Sequence, residues 1–356
     1  MFDYGGLLVF IFTAVVALLI FSASFFFTTI IRRYALRHQL LDIPNQRSSH
    51  TQPTPRGGGV AISLGIFLGA AILQYIQFFP TVLLLTIVGG GALLTTIGIL
   101  DDRFSISAWH RFIIQGIAAA GALFAIDGFP QVHVGIATVP LGVLGNILGW
   151  FWIVGTSNVY NFMDGIDGLA ASQAVFVGTV GGMLLLIADQ VALGMFLVFV
   201  AASAGGFLVW NWPPAKIFMG DSGSVLLGYT FAVIALASDR YAGFPLPLWL
   251  MLLAVFIVDA GLSTLRRVVR GERWFEAHRT FAYQKIVQMG YGHGQVVRFV
   301  MGTNAVLALI VGASLKTPTL LPASLFASFT VLCLLWHLVQ RHHRNEFGVI
   351  TTSHTL

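Results

Sequence analysis

An all-α polytopic membrane fold is predicted by three features of the sequence: a shortage of charge, a series of long apolar runs, and basic residues gathered on one side. Of 356 residues, 57% are hydrophobic and 9% are charged, about a third of the roughly 25% charged residues of soluble domains. Thirty Phe and a mean hydropathy of +0.85 exclude a water-soluble globular chain. Disorder is excluded too, because disordered chains are poor in apolar residues. A span needs about 20 apolar residues to cross about 30 Å of hydrocarbon, so the chain has room for about ten or eleven spans with short connections.

The first apolar run, 7–31, follows Met1-Phe2-Asp3-Tyr4-Gly5. It lacks the basic segment that precedes a cleavable signal and reads as a retained span. Runs at 60–78 and 82–100 come next, then a short one at 112–126 and further ones at 141–157, 169–187 and 191–210. The last four lie at 222–238, 246–265, 296–315 and 319–338. The count is eleven, with ten as the alternative, because the fourth run is short and little more than Pro80 divides the second from the third. Cys333 lies among leucines, and a single cysteine makes neither an intrachain disulfide nor a zinc site, so it reads as a buried, inert thiol. The whole chain, 1–356, reads as one integral membrane domain.

Eleven spans place the termini on opposite sides, and charge decides which is which. With the N-terminus periplasmic and the C-terminus cytoplasmic, the inner loops lie near 32–59, 101–111, 158–168, 211–221 and 266–295. Those loops, with Arg298 just past the last of them, and the tail then hold every Lys and Arg except Arg240 and Lys316, which is the loop bias that orients membrane proteins. The net charge of +5 is thus a property of the cytoplasmic face, and nucleic acid is not an expected partner.

Against so apolar a background each acidic residue asks for a reason. Asp101 and Asp102 end the third run, Asp164 and Asp167 follow the fifth, and Asp221 precedes the eighth, all on the cytoplasmic side, whereas Asp3, Asp127, Asp189 and Asp239 stand alone on the other. Capping of helix starts is the plain role for Asp167 and Asp221. It suits the adjacent pair Asp101 and Asp102 less well, because neighbouring carboxylates repel. Three acidic groups from separate spans at one interface suit Mg²⁺, which binds through one or two carboxylates plus substrate phosphates. Glycines flank these acids in Gly165-Ile166-Asp167-Gly168 and Gly220-Asp221-Ser222-Gly223. Glycine lets backbone approach a ligand closely, and helix N-termini attract anions. Asn158 and Asn161 lie three apart on one helix face, where they serve either as oxygen ligands or as C-caps.

These segments together resemble a known family. Asp101-Asp102, NVYNFMDGIDGLA at 158–170, FMGDSGS at 218–224 and the loop LDIPNQRSSHTQPTPRGGG at 41–59 are similar to the polyprenyl-phosphate N-acetylhexosamine-1-phosphate transferases, bacterial glycosyltransferase family 4. The resemblance runs from about residue 41 to 285. It implies a multi-pass protein of the bacterial inner membrane with its site on the cytoplasmic face. There the phosphate of undecaprenyl phosphate attacks the β-phosphorus of a UDP-N-acetyl sugar, UMP leaves, and cell-surface polysaccharide assembly begins. It further implies a requirement for Mg²⁺, with Mn²⁺ as the substituting ion. Asp221 and Asn161 are the implied metal ligands, and Asp101 and Asp102 the pair that engages or deprotonates the lipid phosphate. Asp167 and Phe218 resemble uracil-contacting positions, Asp164 lines the same pocket, and Asn158 belongs with the substrate-binding set.

The sequence departs from the family in the last large inner loop. Many relatives carry a His-x-His-His cluster there, whereas only His278 and Arg279 remain here to grip phosphate or sugar. The form AHR…AYQ resembles the O-antigen branch, which implies a donor sugar that is either GlcNAc or a 6-deoxy relative such as FucNAc or QuiNAc. Elsewhere in this loop, Arg266, Arg267 and Arg273 read as an interfacial, lipid-facing helix anchored by Trp274 and Phe275. Membrane lipids are therefore expected partners, and a homodimer is compatible with the sequence. Asp259, within the ninth run, is expected to pair structurally with a basic or amide group. A transporter or lipid flippase is the alternative function. Transporters place polar sites near the midplane and show repeat symmetry, whereas here the acids cluster at one face and no repeat is evident.

Overall fold

The computed structural model describes residues 4–44, 52–134, 137–272 and 279–347. Each apolar run is helical. In order these are α1 (Tyr4–Arg37), α2 (Gly59–Tyr75), α3 (Thr81–Leu85), which runs through a π turn at Thr86–Gly90 into α4 (Gly91–Phe104), α5 (Ala108–Ala125), α6 (Gly142–Phe162), α7 (Leu169–Ile187), α8 (Val191–Asn211) and α9 (Asp221–Ala242). After these come α10 (Leu246–Leu252), α11 (Ala254–Val269), the short α12 (Ala282–Gln288), α13 (His293–Lys316) and α14 (Leu321–Phe347). Two small antiparallel pairs, β1 (Leu41–Asp42) with β2 (Thr54–Pro55) and β3 (Val132–Val134) with β4 (Ala137–Val139), are the departures from an all-α chain.

Among the described residues, seven helical segments are long and apolar enough to cross a membrane. An eighth is added if α10 and α11, bent by 77°, form one broken span. The expected count of eleven differs through three helices. α2 has 17 residues, and polar side chains dilute α5 (His110, Arg111, Gln115) and α6 (Asn146, Asn158, Asn161). The loops that carry the acidic motifs are also shorter than hydropathy marks them. Asp101 and Asp102 lie inside the last turn of α4, and Asn158 and Asn161 inside α6. A helix continues as long as its backbone bonds are made, whatever the polarity of its last side chains.

The middle of the bundle is α9. Its apolar window is 94% buried, against 17% for α1 and 11% for α14. α9 is the least apolar of the seven, with buried Ser222, Ser224 and Thr230, as suits a helix packed among helices, while the more apolar α1 and α14 present Leu8, Phe10, Phe326 and Leu334 outward. α9 packs against α4 and α6. The π turn before α4 frees the Thr86 carbonyl, which accepts a 3.0 Å bond from the buried Tyr229 hydroxyl of α9. At the other side of the same interface, a Cβ on Gly98 would lie 2.4 Å from the Ser222 backbone nitrogen. Glycine at this position brings the acidic end of α4 directly against the start of α9. At the far ends of α5 and α9, Asp127 and Arg240 form an ion pair, which accounts for one of the isolated acids.

Candidate active site at the start of the central helix

Three elements deliver the charged groups. The last turn of α4 carries Asp101 and Asp102, the first residue of α9 is Asp221, and the first turn of α5 carries Arg111. One guanidinium nitrogen, Arg111 Nη1, donates to Asp101 Oδ2 at 2.9 Å and to Asp221 Oδ2 at 2.6 Å. The other Asp221 oxygen accepts a 2.8 Å bond from Asn161 Nδ2, which also donates to Ser224 Oγ at 3.0 Å. Asp221 is therefore not the N-cap of α9, because Gly220 occupies that position and the carboxylate is used elsewhere.

Asp102 is placed differently. Its Oδ1 accepts the Asp221 backbone N–H at 3.4 Å, and its Oδ2 is buried with no hydrogen-bond partner. Gly220, at φ +73°, lies so close that a Cβ there would meet Asp102 Oδ2 at 2.3 Å. Only glycine supplies both that backbone conformation and that space. A buried carboxylate oxygen without a donor is costly, which marks it as an atom set aside for something that binds.

A cavity of about 180 Å³ opens between these groups and the connections around them. One half is acidic, lined by Asp102, Asp221, Asn161 and Asp164, with Arg56 at its edge. Burial, reinforced by the Asp221 and Asp102 charges, holds the Asp164 carboxyl well above the usual carboxylate range, against the pull of Arg56. Among the described residues, no group of three or more His, Cys, Asp or Glu side chains is arranged to hold a metal ion. A hard ion here would thus draw on one or two carboxylates and complete its shell with other oxygens, the habit of Mg²⁺. The unpartnered Asp102 oxygen and the Asp221 carboxylate fit that donor set.

The other half of the cavity is built by Asp167, Asn211, Phe218 and His293. Asp167 Oδ2 accepts the Ala215 N–H at 3.0 Å and lies 3.3 Å from His293 Nδ1. It therefore ties two loops together and is not the cap of α7, whose N-cap is Gly168. Asn211 receives the Gly168 N–H at 3.0 Å and donates to the Ile217 carbonyl at 2.9 Å. The Phe218 backbone bonds to Pro55 and Gly58 (2.8 and 2.9 Å), which seats its ring on the cavity wall.

The structure thus brings Asp102, Asp221, Asn161, Asp164, Asp167 and Phe218 to one cavity, with Asp101 attached through Arg111. Asn158 lies elsewhere: its amide donates to Gln115 Oε1 at 2.6 Å and to the Val154 carbonyl at 2.8 Å, as a tie between α5 and α6. Neither asparagine is a C-cap, since the C-cap of α6 is Met163. His278, Arg273, Trp274 and Phe275 lie outside the described residues. The Arg279 carbonyl accepts from Gln288 Nε2 at 3.1 Å, and Arg279 does not line the cavity. Asp259 accepts the Ala282 and Tyr283 N–H groups at 2.7 and 3.0 Å and the Ser263 hydroxyl at 3.2 Å, the structural role expected of it.

Sequence reasoning missed Arg111, Arg56, Asn211 and His293 as site residues. Arg56 lies in the loop motif at 41–59 and Arg111 among the orienting charges, but nothing in the sequence ties either to the acids. Asn211 and His293 belong to no acidic segment, and nothing in their spacing ties them to one.

Comparison with known proteins identifies the family. Residues 84–239 match the model of glycosyl transferase family 4. The chain is 30% identical over 322 residues to a probable undecaprenyl-phosphate N-acetylglucosaminyl 1-phosphate transferase of Bacillus subtilis (strain 168), covering 86% of each chain. It is 32% identical over 329 residues to a decaprenyl-phosphate N-acetylglucosaminephosphotransferase of Mycobacterium leprae, covering 80% of this chain and 79% of the relative. To an undecaprenyl-phosphate alpha-N-acetylglucosaminyl 1-phosphate transferase of Escherichia coli (strain K12) it is 29% identical over 311 residues, covering 84% and 82%. The matched segment holds Asp101, Asp102, Arg111, Asn161, Asp167 and Asp221, and the longer matches extend over most of the bundle. The chain is therefore a multi-pass membrane protein that belongs to glycosyl transferase family 4, the polyprenyl-phosphate N-acetylhexosamine-1-phosphate transferases.

Proposed function

We propose that this protein transfers an N-acetylhexosamine-1-phosphate from its UDP-sugar to undecaprenyl phosphate at the cytoplasmic face of a bacterial inner membrane. The observation that carries this reading is the convergence of Asp102 and Asp221 on one polar cavity at the end of an apolar bundle, with Asp101 joined to Asp221 through Arg111. In this reaction an oxygen of the lipid phosphate bonds to the β-phosphorus, and the bond between that phosphorus and the oxygen of UMP breaks. Catalysis of such a transfer rests on positioning and on neutralising negative charge.

The chain's residues divide that work. Asp102 Oδ2, buried without a donor, is the atom placed to receive a hydrogen bond or proton from the lipid phosphate. Arg111, which already spans Asp101 and Asp221, supplies positive charge where an anionic substrate enters. Asp221, oriented by Asn161, is the residue fitted to hold Mg²⁺ or Mn²⁺, with Asp102 beside it. When bound, the ion neutralises charge on the diphosphate. Asp167, Asn211, Phe218 and His293 form the half of the cavity that suits the uridine. GlcNAc or a 6-deoxy relative is the sugar, and O-antigen or another surface polysaccharide is the product line.

The test is UMP release by the purified full chain from UDP-GlcNAc, UDP-FucNAc and UDP-QuiNAc, with undecaprenyl phosphate and with or without Mg²⁺. Turnover of one donor that stops in EDTA supports the reading. No UMP from any N-acetylhexosamine donor, or metal-independent turnover, overturns it.

A further inference from the structure

Outside the acidic cavity, another set of like charges converges. Arg266 and Arg270 end α11, Lys285 lies in α12, and Arg344 lies in the last turn of α14. Lys285 is only 9% exposed. Its ammonium donates to Gln340 Oε1, and the same oxygen accepts from Arg266 Nη1 at 2.5 Å. Gln340 is itself buried and donates its amide to the Thr280 carbonyl at 3.3 Å. Two cations therefore share one neutral acceptor.

The carboxylates nearby are already committed. Asp259 accepts three hydrogen bonds, from Ala282, Tyr283 and Ser263, and Glu272 pairs with Arg267 at 2.9 Å and with Arg270 at 3.9 Å. Burial, followed by the charges of Arg266, Arg344 and Arg270, pushes the Lys285 ammonium down to about 8. Buried lysines are seldom found without a countercharge, and among the described residues no carboxylate forms an ion pair with Lys285, Arg266 or Arg344; Asp259 and Glu272 act on Lys285 and Arg266 only at longer range. Beside the cluster, Leu265, Val269 and Leu338 are 57%, 79% and 58% exposed. A cationic cup with apolar flanks at the end of two membrane helices matches an anionic headgroup with acyl chains beneath it.

We propose that Arg266, Arg270, Lys285 and Arg344 bind the phosphate of an anionic phospholipid, separately from the acidic cavity and beyond the reaction proposed above. The bound lipid would hold α12 in place. From α12, Tyr283 donates its hydroxyl to the Phe162 carbonyl at 2.9 Å, beside the connection that carries Asp164.

The experiment titrates the full chain, delipidated in detergent, with phosphatidylglycerol, phosphatidylcholine or inorganic phosphate, and reads retained lipid by native mass spectrometry and the unfolding midpoint by heating. The exposed Arg270 and Arg344 provide variants that leave the fold intact, and unchanged lipid-free unfolding checks this. Phosphatidylglycerol is expected to bind more tightly than phosphatidylcholine. Arg270→Gln and Arg344→Gln should each weaken it about fivefold, as expected for about 1 kcal/mol per basic residue at a membrane surface. Equal affinity for both lipids, or no loss in either variant, overturns the site. Inorganic phosphate raising the midpoint as much as phosphatidylglycerol overturns the assignment to lipid.

Discussion

The acidic cavity and the basic cluster place like charges together at the same end of the bundle, and they handle the repulsion differently. In the cavity an arginine stands between two of the carboxylates, Asn161 holds one of them, and the oxygen left over, Asp102 Oδ2, is buried against Gly220 without a donor. In the cluster, among the described residues, the one acid paired with a cation is Glu272 at its edge, on Arg270, and one amide oxygen serves two of the other cations. The first is a site preset for a substrate that brings its own negative charge with an ion. The second is a surface completed by something already in the membrane. A third charged locus, Asp127 with Arg240 at the opposite end, is paired within the chain and calls for neither.

The largest expected effect separates Asp102 from every other carboxylate. Asp102→Asn should cut kcat for UMP release by about 10³-fold, the order expected for losing a positioned proton acceptor, while the unfolding midpoint stays put or rises. A drop in both would make Asp102 a structural residue. Asp221→Asn should reduce activity comparably and, unlike Asp102→Asn, should shift the Mg²⁺ concentration required. An unchanged Mg²⁺ dependence would remove Asp221 from the ion's ligands.

Gly220→Ala tests the geometry of the cavity without touching a charge. The added Cβ would sit at φ +73° and 2.3 Å from Asp102 Oδ2, and a displacement of about 1 Å in a catalytic group can cost about 100-fold. The expected result is a fall of that order in kcat with little change in KM for the sugar donor.

A smaller effect concerns the basic cluster and has a sign that can be worked out. Lys285 falls from 10.5 to about 8 in the folded protein. Between about pH 8 and 10.5 the unfolded chain therefore binds this proton and the folded chain does not, so stability rises with pH in that window. Below pH 8 both states hold the proton and the slope vanishes. Heating lipid-free protein across this range should show the rise. Lys285→Met should remove it, and saturating phosphatidylglycerol should flatten it by pairing the ammonium. The smallest effect belongs to the paired locus: Asp127→Asn, whose side chain is 84% exposed, should change stability by no more than about 0.5 kcal/mol and leave UMP release unaltered.

Much of this was legible in the residues, and the reason is specific. The apolar runs that mark helices are set by the thickness of a bilayer, which demands length and hydropathy from each segment separately. Asp101-Asp102, Asp164, Asp167 and Asp221 stood out because carboxylates are expensive beside hydrocarbon. Helix ends were less legible: α4 and α6 continue through the polar residues that hydropathy took as loop, since backbone bonding ignores side-chain polarity. Asn158 and Asn161, spaced alike on one face, parted only when Gln115 of α5 met the first and Asp221 the second.

By itself, then, the sequence determined that the chain is a helical membrane bundle with scarce acids gathered at one face and with the segments of a known transferase family, because those properties reside in local composition and order. Tertiary structure alone decided which groups share a space. It put Arg111 between Asp101 and Asp221 and left Asp102 with an unmatched oxygen. It brought His293 to Asp167 across 126 positions of chain and gathered Arg266 and Lys285 around a single glutamine. Such pairings depend on how distant helices pack, and no local pattern encodes the partner.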